Sequence, residues 1–168
     1  MRAFKALFVM LMLVSGPGMA QAQGLSAPKG EVILSVVGKL KATNQAGRAD
    51  FDRDMLVALG VKQTKTRHSW ADGVTTFEGV SLASVLDAVG AQGTKIRAVA
   101  INNYAVELDI AEVRKYPVIL AMKADGQELR RRDRGPLWVV YPRDSYPELA
   151  DEKHNFKWIW QLRSVEIQ

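Results

Sequence analysis

The segment Asp125–Pro142 (DGQELRRRDRGPLWVVYP) constrains the fold of this chain more than any other stretch. Asp125-Gly126 stands between Val118–Ala124 and Gln127–Arg130. Asp-Gly is a strong hairpin signal, because both positions of a tight two-residue turn need positive φ. Four arginines follow at Arg130, Arg131, Arg132 and Arg134, around one carboxylate, Asp133. Gly135-Pro136 then opens a dense apolar run, Leu137–Tyr141, which reads as the most buried strand of the chain. Guanidinium forks grip carboxylates and other planar or anionic groups bidentately. Arginines at the mouth of a buried strand therefore read as the rim of a binding site.

The first residues read as a leader. Arg2 and Lys5 precede a short apolar run, Ala6–Val14, and Ser15–Gly18 breaks it before the small residues Ala20 and Ala22. That is the pattern of a secretory signal peptide, residues 1–22, cleaved after Ala20 or Ala22. The run is short for a membrane span, and no later stretch is long and apolar enough for one. The expectation is an exported protein of the bacterial periplasm without direct membrane insertion. The chain contains no cysteine. Disulfides, zinc-thiolate sites, iron–sulfur clusters and cysteine nucleophiles are thereby excluded.

Residues 23–168 are enough for one domain with a proper core. The 23 Lys and Arg against 18 Asp and Glu make only a mild basic excess, and Arg2 and Lys5 belong to the leader. That balance argues against a nucleic-acid partner. Strands are expected at Glu31–Leu40, Val61–Ser69, Lys95–Ile101, Tyr104–Leu108, Val118–Ala124, Gln127–Arg130 and Leu137–Tyr141, with a last one near the C-terminus, and Thr75–Val80 reads as strand-like or irregular. Short helices are expected after Asp50, after Ser81 and after Asp109, each residue serving as an N-cap. Ala71-Asp72-Gly73 reads as a turn and Arg143–Asn155 as a long polar loop. The sum is a single mixed α+β domain, rich in strands. No GxSxG or Walker motif is present, and His68 and His154 show no metal-ligand spacing, so both read as solvated or structural.

Four blocks stand in a recognisable order: Phe77–Ala91 (FEGVSLASVLDAVGA), Ile101–Asp109 (INNYAVELD), Pro117–Pro142 and Lys157–Ile167 (KWIWQLRSVEI). The arrangement resembles the oxidoreductase molybdopterin-binding domain, the sulfite oxidase fold. The enzymes of that family hold molybdenum through a cysteine thiolate, a soft ligand that this chain cannot supply. The short, exported, cysteine-free members that it resembles are pterin-responsive regulators. These sense a reduced pterin and dock on the periplasmic domain of an inner-membrane enzyme that makes or degrades cyclic di-GMP. The resemblance thus implies a non-enzymatic pterin-binding protein with no molybdenum. The alternatives are a molybdopterin-dependent oxidoreductase, or its electron-transfer component, keeping the cofactor without a cysteine ligand, and an interaction protein whose pocket is vestigial.

A pterin is a flat, polar heterocycle. It needs an aromatic or guanidinium face to stack on and polar groups at its edge. Under the resemblance, Trp138 and Trp160 are stacking platforms or core residues, and an arginine often stands at the position of Trp138 in the family's enzymes. Asn103 and Tyr104 match the family's Asp-Gly-Tyr-like segment near the cofactor. Asn103 reads the ring edge or is an ordinary turn residue. Arg132 and Arg134 bind the ligand, and Asp133 accepts from its amino group or pairs with a neighbouring arginine. Trp70 closes the site or is buried. The Arg143–His154 loop is a partner surface or a plain exposed loop.

Overall fold

The computed structural model describes residues 24–168, so the expected signal peptide lies outside the described residues. Among the described residues, ten strands and three short α-helices follow one another. The mixed α+β domain expected from the sequence is what forms. β1 (Leu34–Gly38) turns Leu34 and Val36 into the core by simple alternation. It pairs with β2 (Arg48–Phe51). α1 (Arg53–Ala58) starts immediately afterwards, capped by Asp52, whose carboxylate accepts from the Met55 amide at 2.9 Å. The same carboxylate accepts from the amides of Lys29 and Gly30 at 2.7 and 2.8 Å, so it also fastens the incoming chain.

β3 (Val61–His68) and β4 (Ala71–Ser81) form a long antiparallel hairpin, and α2 (Leu82–Ala88) buries Leu82, Val85 and Leu86 behind it. β5 (Lys95–Ala100) and β6 (Ala105–Asp109) form a second hairpin, and α3 (Ile110–Lys115) follows. β7 (Ile119–Ala124) and β8 (Gln127–Glu128) flank the Asp-Gly turn. Asp125 and Gly126 have φ of 48° and 77°, the left-handed pair that the hairpin signal requires. β9 (Trp138–Val140) and β10 (Leu162–Ile167) complete the set.

The strands make two five-stranded sheets. One has the order β2-β1-β10-β5-β6, with β1 and β10 parallel. The other runs β3-β4-β7-β8, and β9 also pairs with β7. The two are joined through residues 158–162. Val139 donates to the Ile159 carbonyl at 2.9 Å, Leu162 donates to that of Leu137 at 3.0 Å, and Trp138 bridges Trp160. The tryptophan-rich end of the chain is thereby laid along the arginine–tryptophan segment that precedes β9.

Several expectations need correction. Asp50 is not a helix cap. It lies within β2, buried, where it accepts from Ser35 at 2.7 Å and from Arg48 at 2.8 Å. Two aspartates flank Phe51, and pairing with β1 consumes the first, leaving Asp52 to cap. Ala71-Asp72-Gly73 belongs to β4, and the reversal falls at Ser69-Trp70, between the paired residues His68 and Ala71. Tyr104 precedes β6 and does not open it. The strand expected over Leu137–Tyr141 is regular only over Trp138–Val140, although the whole run is buried. The Arg143–Asn155 segment is not irregular: it folds into short 3-10 turns at Arg143–Ser145, Pro147–Leu149 and Glu152–Lys157.

Candidate functional site

The four tryptophans of the chain gather in one cluster, three of them around His68 and the fourth, Trp160, against Trp70 and Trp138, although they arrive from different elements. His68 ends β3, Trp70 sits in the hairpin reversal, Trp138 begins β9, and Trp158 and Trp160 lie in the segment joining the two sheets. The His68 ring centre is 5.3 Å from that of Trp138, and 6.0 Å from those of Trp70 and Trp158. Phe77 of β4 stands 5.6 Å away and closes the floor. Trp138, Trp158 and Phe77 are buried, whereas Trp70 and Trp160 are half-buried and meet edge to face at 5.3 Å. Such edge-to-face geometry sets the negative face of one ring against the positive edge of the next.

The Trp70 amide donates to His68 Nδ1 at 3.2 Å, so Nδ1 carries no proton. Nε2 therefore holds the hydrogen and donates to Thr75 Oγ1 at 3.3 Å. Burial holds the His68 pKa below its ordinary value, and the positive charges of Arg134 and Arg143 push in the same direction against the opposing pull of Asp125. The imidazole is thus neutral at pH 7, with its tautomer assigned by these two contacts. Sequence spacing gave no sign of this role: the two hydrogen-bond partners are near in the chain but are brought to the ring only by the β3–β4 reversal, and Trp138 and Trp158 lie some seventy to ninety residues away.

Two depressions flank the cluster. A largely apolar cleft of about 370 Å3 is walled by Trp70, Trp158, Trp160 and Phe156, with Asn102, Tyr104 and Asn155 supplying its polar groups. A more polar one of about 460 Å3 contains His68, Trp138, Asp125 and the Arg132–Arg134 segment. Arg134 stands between them. Its guanidinium carbon is 5.1 Å from the Trp138 ring centre and 5.6 Å from that of Trp160. The backbone makes this possible. Arg134 has a φ of 72°, and its carbonyl accepts from the Gln161 amide at 2.9 Å. Gly135 follows with no room for a side chain, since a Cβ there would run into the Leu129 carbonyl.

The residues singled out from sequence are therefore divided between two neighbouring depressions. Trp70, Tyr104 and Trp160 border the apolar cleft, and Trp138, Arg132, Asp133 and Arg134 border the polar one. Asn103 lines neither. Its side chain accepts from Arg163 at 2.8 Å, and its φ of 68° marks it as the turn residue. Asn102 is the asparagine that faces the cleft, and its own side chain accepts from the Tyr104 amide at 3.0 Å. Trp138 is a core residue by burial, yet its indole Nε1–H is buried without a hydrogen-bond partner. Arg132 and Asp133 pair at 3.5 Å with both side chains in solvent, an arrangement that contributes little stability. His68, Asn102, Asn155, Phe156 and Trp158 were not expected at a site. Of the two neighbouring tryptophans Trp158 and Trp160, only Trp160 was read from the sequence as a site candidate.

The family model described as the oxidoreductase molybdopterin binding domain matches residues 44–165, and the chain belongs to that family. Among solved structures it is similar to the sulfane dehydrogenase SoxCD from Paracoccus pantotrophus, with a TM-score of 0.60 and 18% identity. The match covers 80% of this chain and 37% of that one, and it establishes a shared fold. No curated protein matches the sequence.

The family's cofactor joins a pterin to a metal, and the two parts fare differently here. The aromatic walls of the cleft and its amide groups fit a flat, polar heterocycle. The donor set does not fit the metal part. The chain has no thiol, and among the described residues no cluster of His, Asp and Glu has ligand geometry.

Proposed function

We propose that this chain is a non-enzymatic pterin-binding protein of the periplasm, which takes up a reduced pterin and regulates an inner-membrane cyclic di-GMP enzyme through that enzyme's periplasmic domain. The observation that carries the pterin reading is the wall of Trp70, Trp158 and Trp160 facing the amides of Asn102 and Asn155 in a chain without cysteine. A cleft of about 370 Å3 lies within the roughly 300–1,000 Å3 usual for small-molecule sites. In this reading the heterocycle lies on the half-buried indoles, and the amides and the Tyr104 hydroxyl meet its donor and acceptor edge. Arg134 lines the neighbouring polar depression and reaches this cleft only through the Trp160 indole that it lies over.

The same cleft offers a route to a partner. Asn155 and Phe156 line it, and they belong to the segment that begins at Arg143. Arg143 and Asn155 both donate to the Ser69 hydroxyl, at 3.1 and 2.9 Å, so this segment is tied to the hairpin bearing Trp70. A ligand that packs between Trp70 and Phe156 favours one arrangement of the segment and so changes its affinity for a receptor. Export and periplasmic residence rest on the leader pattern at residues 1–22, and the receptor's identity rests on the family resemblance alone.

The competing reading is a molybdenum oxidoreductase, which the family membership favours. Calorimetric titration with a tetrahydropterin, together with metal analysis of protein purified from its native host, separates the two. Saturable binding of the free pterin with no bound molybdenum supports the regulator. Stoichiometric molybdenum overturns it.

A further inference from the structure

β6 is the outermost strand of its sheet, and its free edge is organised in a way that charge decoration alone does not explain. The Ala100 amide donates to the Tyr104 carbonyl at 2.8 Å, and the Ile110 amide donates to that of Thr94 at 2.9 Å. Antiparallel bonding alternates along a strand. Residues Val106 and Leu108 therefore bond to β5, while the backbone groups of Ala105, Glu107 and Asp109 point away from the sheet. Among the described residues, no hydrogen bond from another element reaches the amides of Ala105, Glu107 or Asp109. All five residues of β6 line a groove of about 560 Å3, which Lys95 of β5 and Phe156 of the Glu152–Lys157 turn beside β6 also border. Tyr104 and Phe156, 50% and 51% exposed, border that groove, and both also line the aromatic cleft.

We infer that the β6 edge is a docking site for an extended segment of a partner protein that carries lysine or arginine at alternate positions and adds to the sheet as a further strand. The charge pattern selects this occupant. The solvent face of β6 carries Glu107 and Asp109, and β5 answers them on the inner side with Arg97 and Lys95 directly opposite. A strand added on the outer side meets the same two carboxylates, and opposite charges across a ladder are favourable where like charges are not. Its alternate residues fall on the other face, beside Tyr104 and Phe156, and are apolar. Main-chain bonding supplies affinity and the side-chain pattern supplies specificity. β3, at the outside of the other sheet, is a poorer candidate, because Asp144 already accepts from the Arg67 amide at 3.1 Å. The inference does not require pterin occupancy, although the two shared aromatic side chains put the edge and the cleft in contact.

The test uses the domain without its leader, amide-resolved hydrogen exchange, and two short synthetic peptides alternating valine with lysine or with glutamate. The lysine peptide should slow exchange at the amides of Ala105, Glu107 and Asp109 at least tenfold, an order-of-magnitude expectation for amides newly taken into a ladder, and the glutamate peptide should not. Glu107→Pro removes one outward amide at a position where an edge strand tolerates proline, and it should abolish the protection while circular dichroism stays native. Glu107→Lys, which leaves the backbone intact, should weaken binding of the lysine peptide and strengthen that of the glutamate peptide. Unchanged exchange at these three amides with millimolar lysine peptide, or equal protection by both peptides, overturns the inference.

Discussion

Arg134 lies across the indole of Trp138, with its guanidinium carbon 5.1 Å from the ring centre. The contact links the arginine rim to the aromatic cluster, and the His68 pKa, lowered chiefly by burial, is lowered further by this charge. Arg134→Gln should therefore raise the pKa of His68 toward the ordinary histidine value, as followed by the imidazole proton shifts. The cation–π loss should cost on the order of 0.5–2 kcal/mol. Arg134→Gly should lose less stability than Arg134→Ala, because the φ of 72° suits glycine and strains alanine.

Trp138 and Trp160 should respond differently to the same truncation. Trp138 is buried at 2% exposure, so Trp138→Ala opens a core cavity and should cost roughly 3–5 kcal/mol in denaturant unfolding. Trp160 is half-buried at the cleft. Trp160→Ala should leave a folded protein with a smaller stability loss and at least tenfold weaker pterin affinity, about 1.4 kcal/mol at 25 °C. Titration calorimetry beside thermal unfolding checks both.

His68 makes stability depend on pH in a defined window. Its folded pKa is lowered, so the unfolded chain binds the proton more readily than the native one. Stability contributed by the neutral imidazole is present above the unfolded value of about 6.5 and falls as the pH drops below it. The loss continues until the folded pKa is reached. Thermal unfolding between pH 7.5 and 5 should show a falling Tm, and His68→Gln should flatten that slope. An equal slope in the variant would show that other groups carry it.

Asp52 binds three backbone amides, those of Met55, Lys29 and Gly30, and the first of these is the chief cause of its lowered pKa. Asp52→Ala removes the cap of α1 and the anchor of residues 29–30 together. A cost of about 1–2 kcal/mol is expected from the cap alone. Amide exchange should quicken both at the start of α1 and at Lys29–Gly30. A change confined to the helix would show that the N-terminal anchor is unimportant.

Local patterns in the sequence were legible where one element decides them. The alternation in β3, the apolar face of α2 and the Asp-Gly turn at Asp125 all form as their residues dictate. The family resemblance likewise led to the correct fold. Competition between equivalent neighbours was not legible. Asp50 and Asp52 each satisfy a cap pattern, and only the pairing of β1 with β2 chooses between them. Asn102 and Asn103 divide in the same way: one faces the cleft and the other takes the left-handed turn and binds Arg163. The gathering of His68 and Trp70 with Trp138 and Trp158 depends on β9 joining the sheet of β3 and on the residue 158–162 segment pairing with it, long-range placements that no local spacing encodes.

The central claim is that the tryptophan-walled cleft binds a free reduced pterin. Its most direct measurement is calorimetric titration of the wild-type protein and Trp160→Ala with a tetrahydropterin under anaerobic conditions. The account predicts saturable one-to-one binding in the micromolar range or tighter for the wild type, and a loss of at least tenfold in a variant that still unfolds cooperatively. Absence of binding by folded wild-type protein, or an affinity indifferent to Trp160, would contradict it.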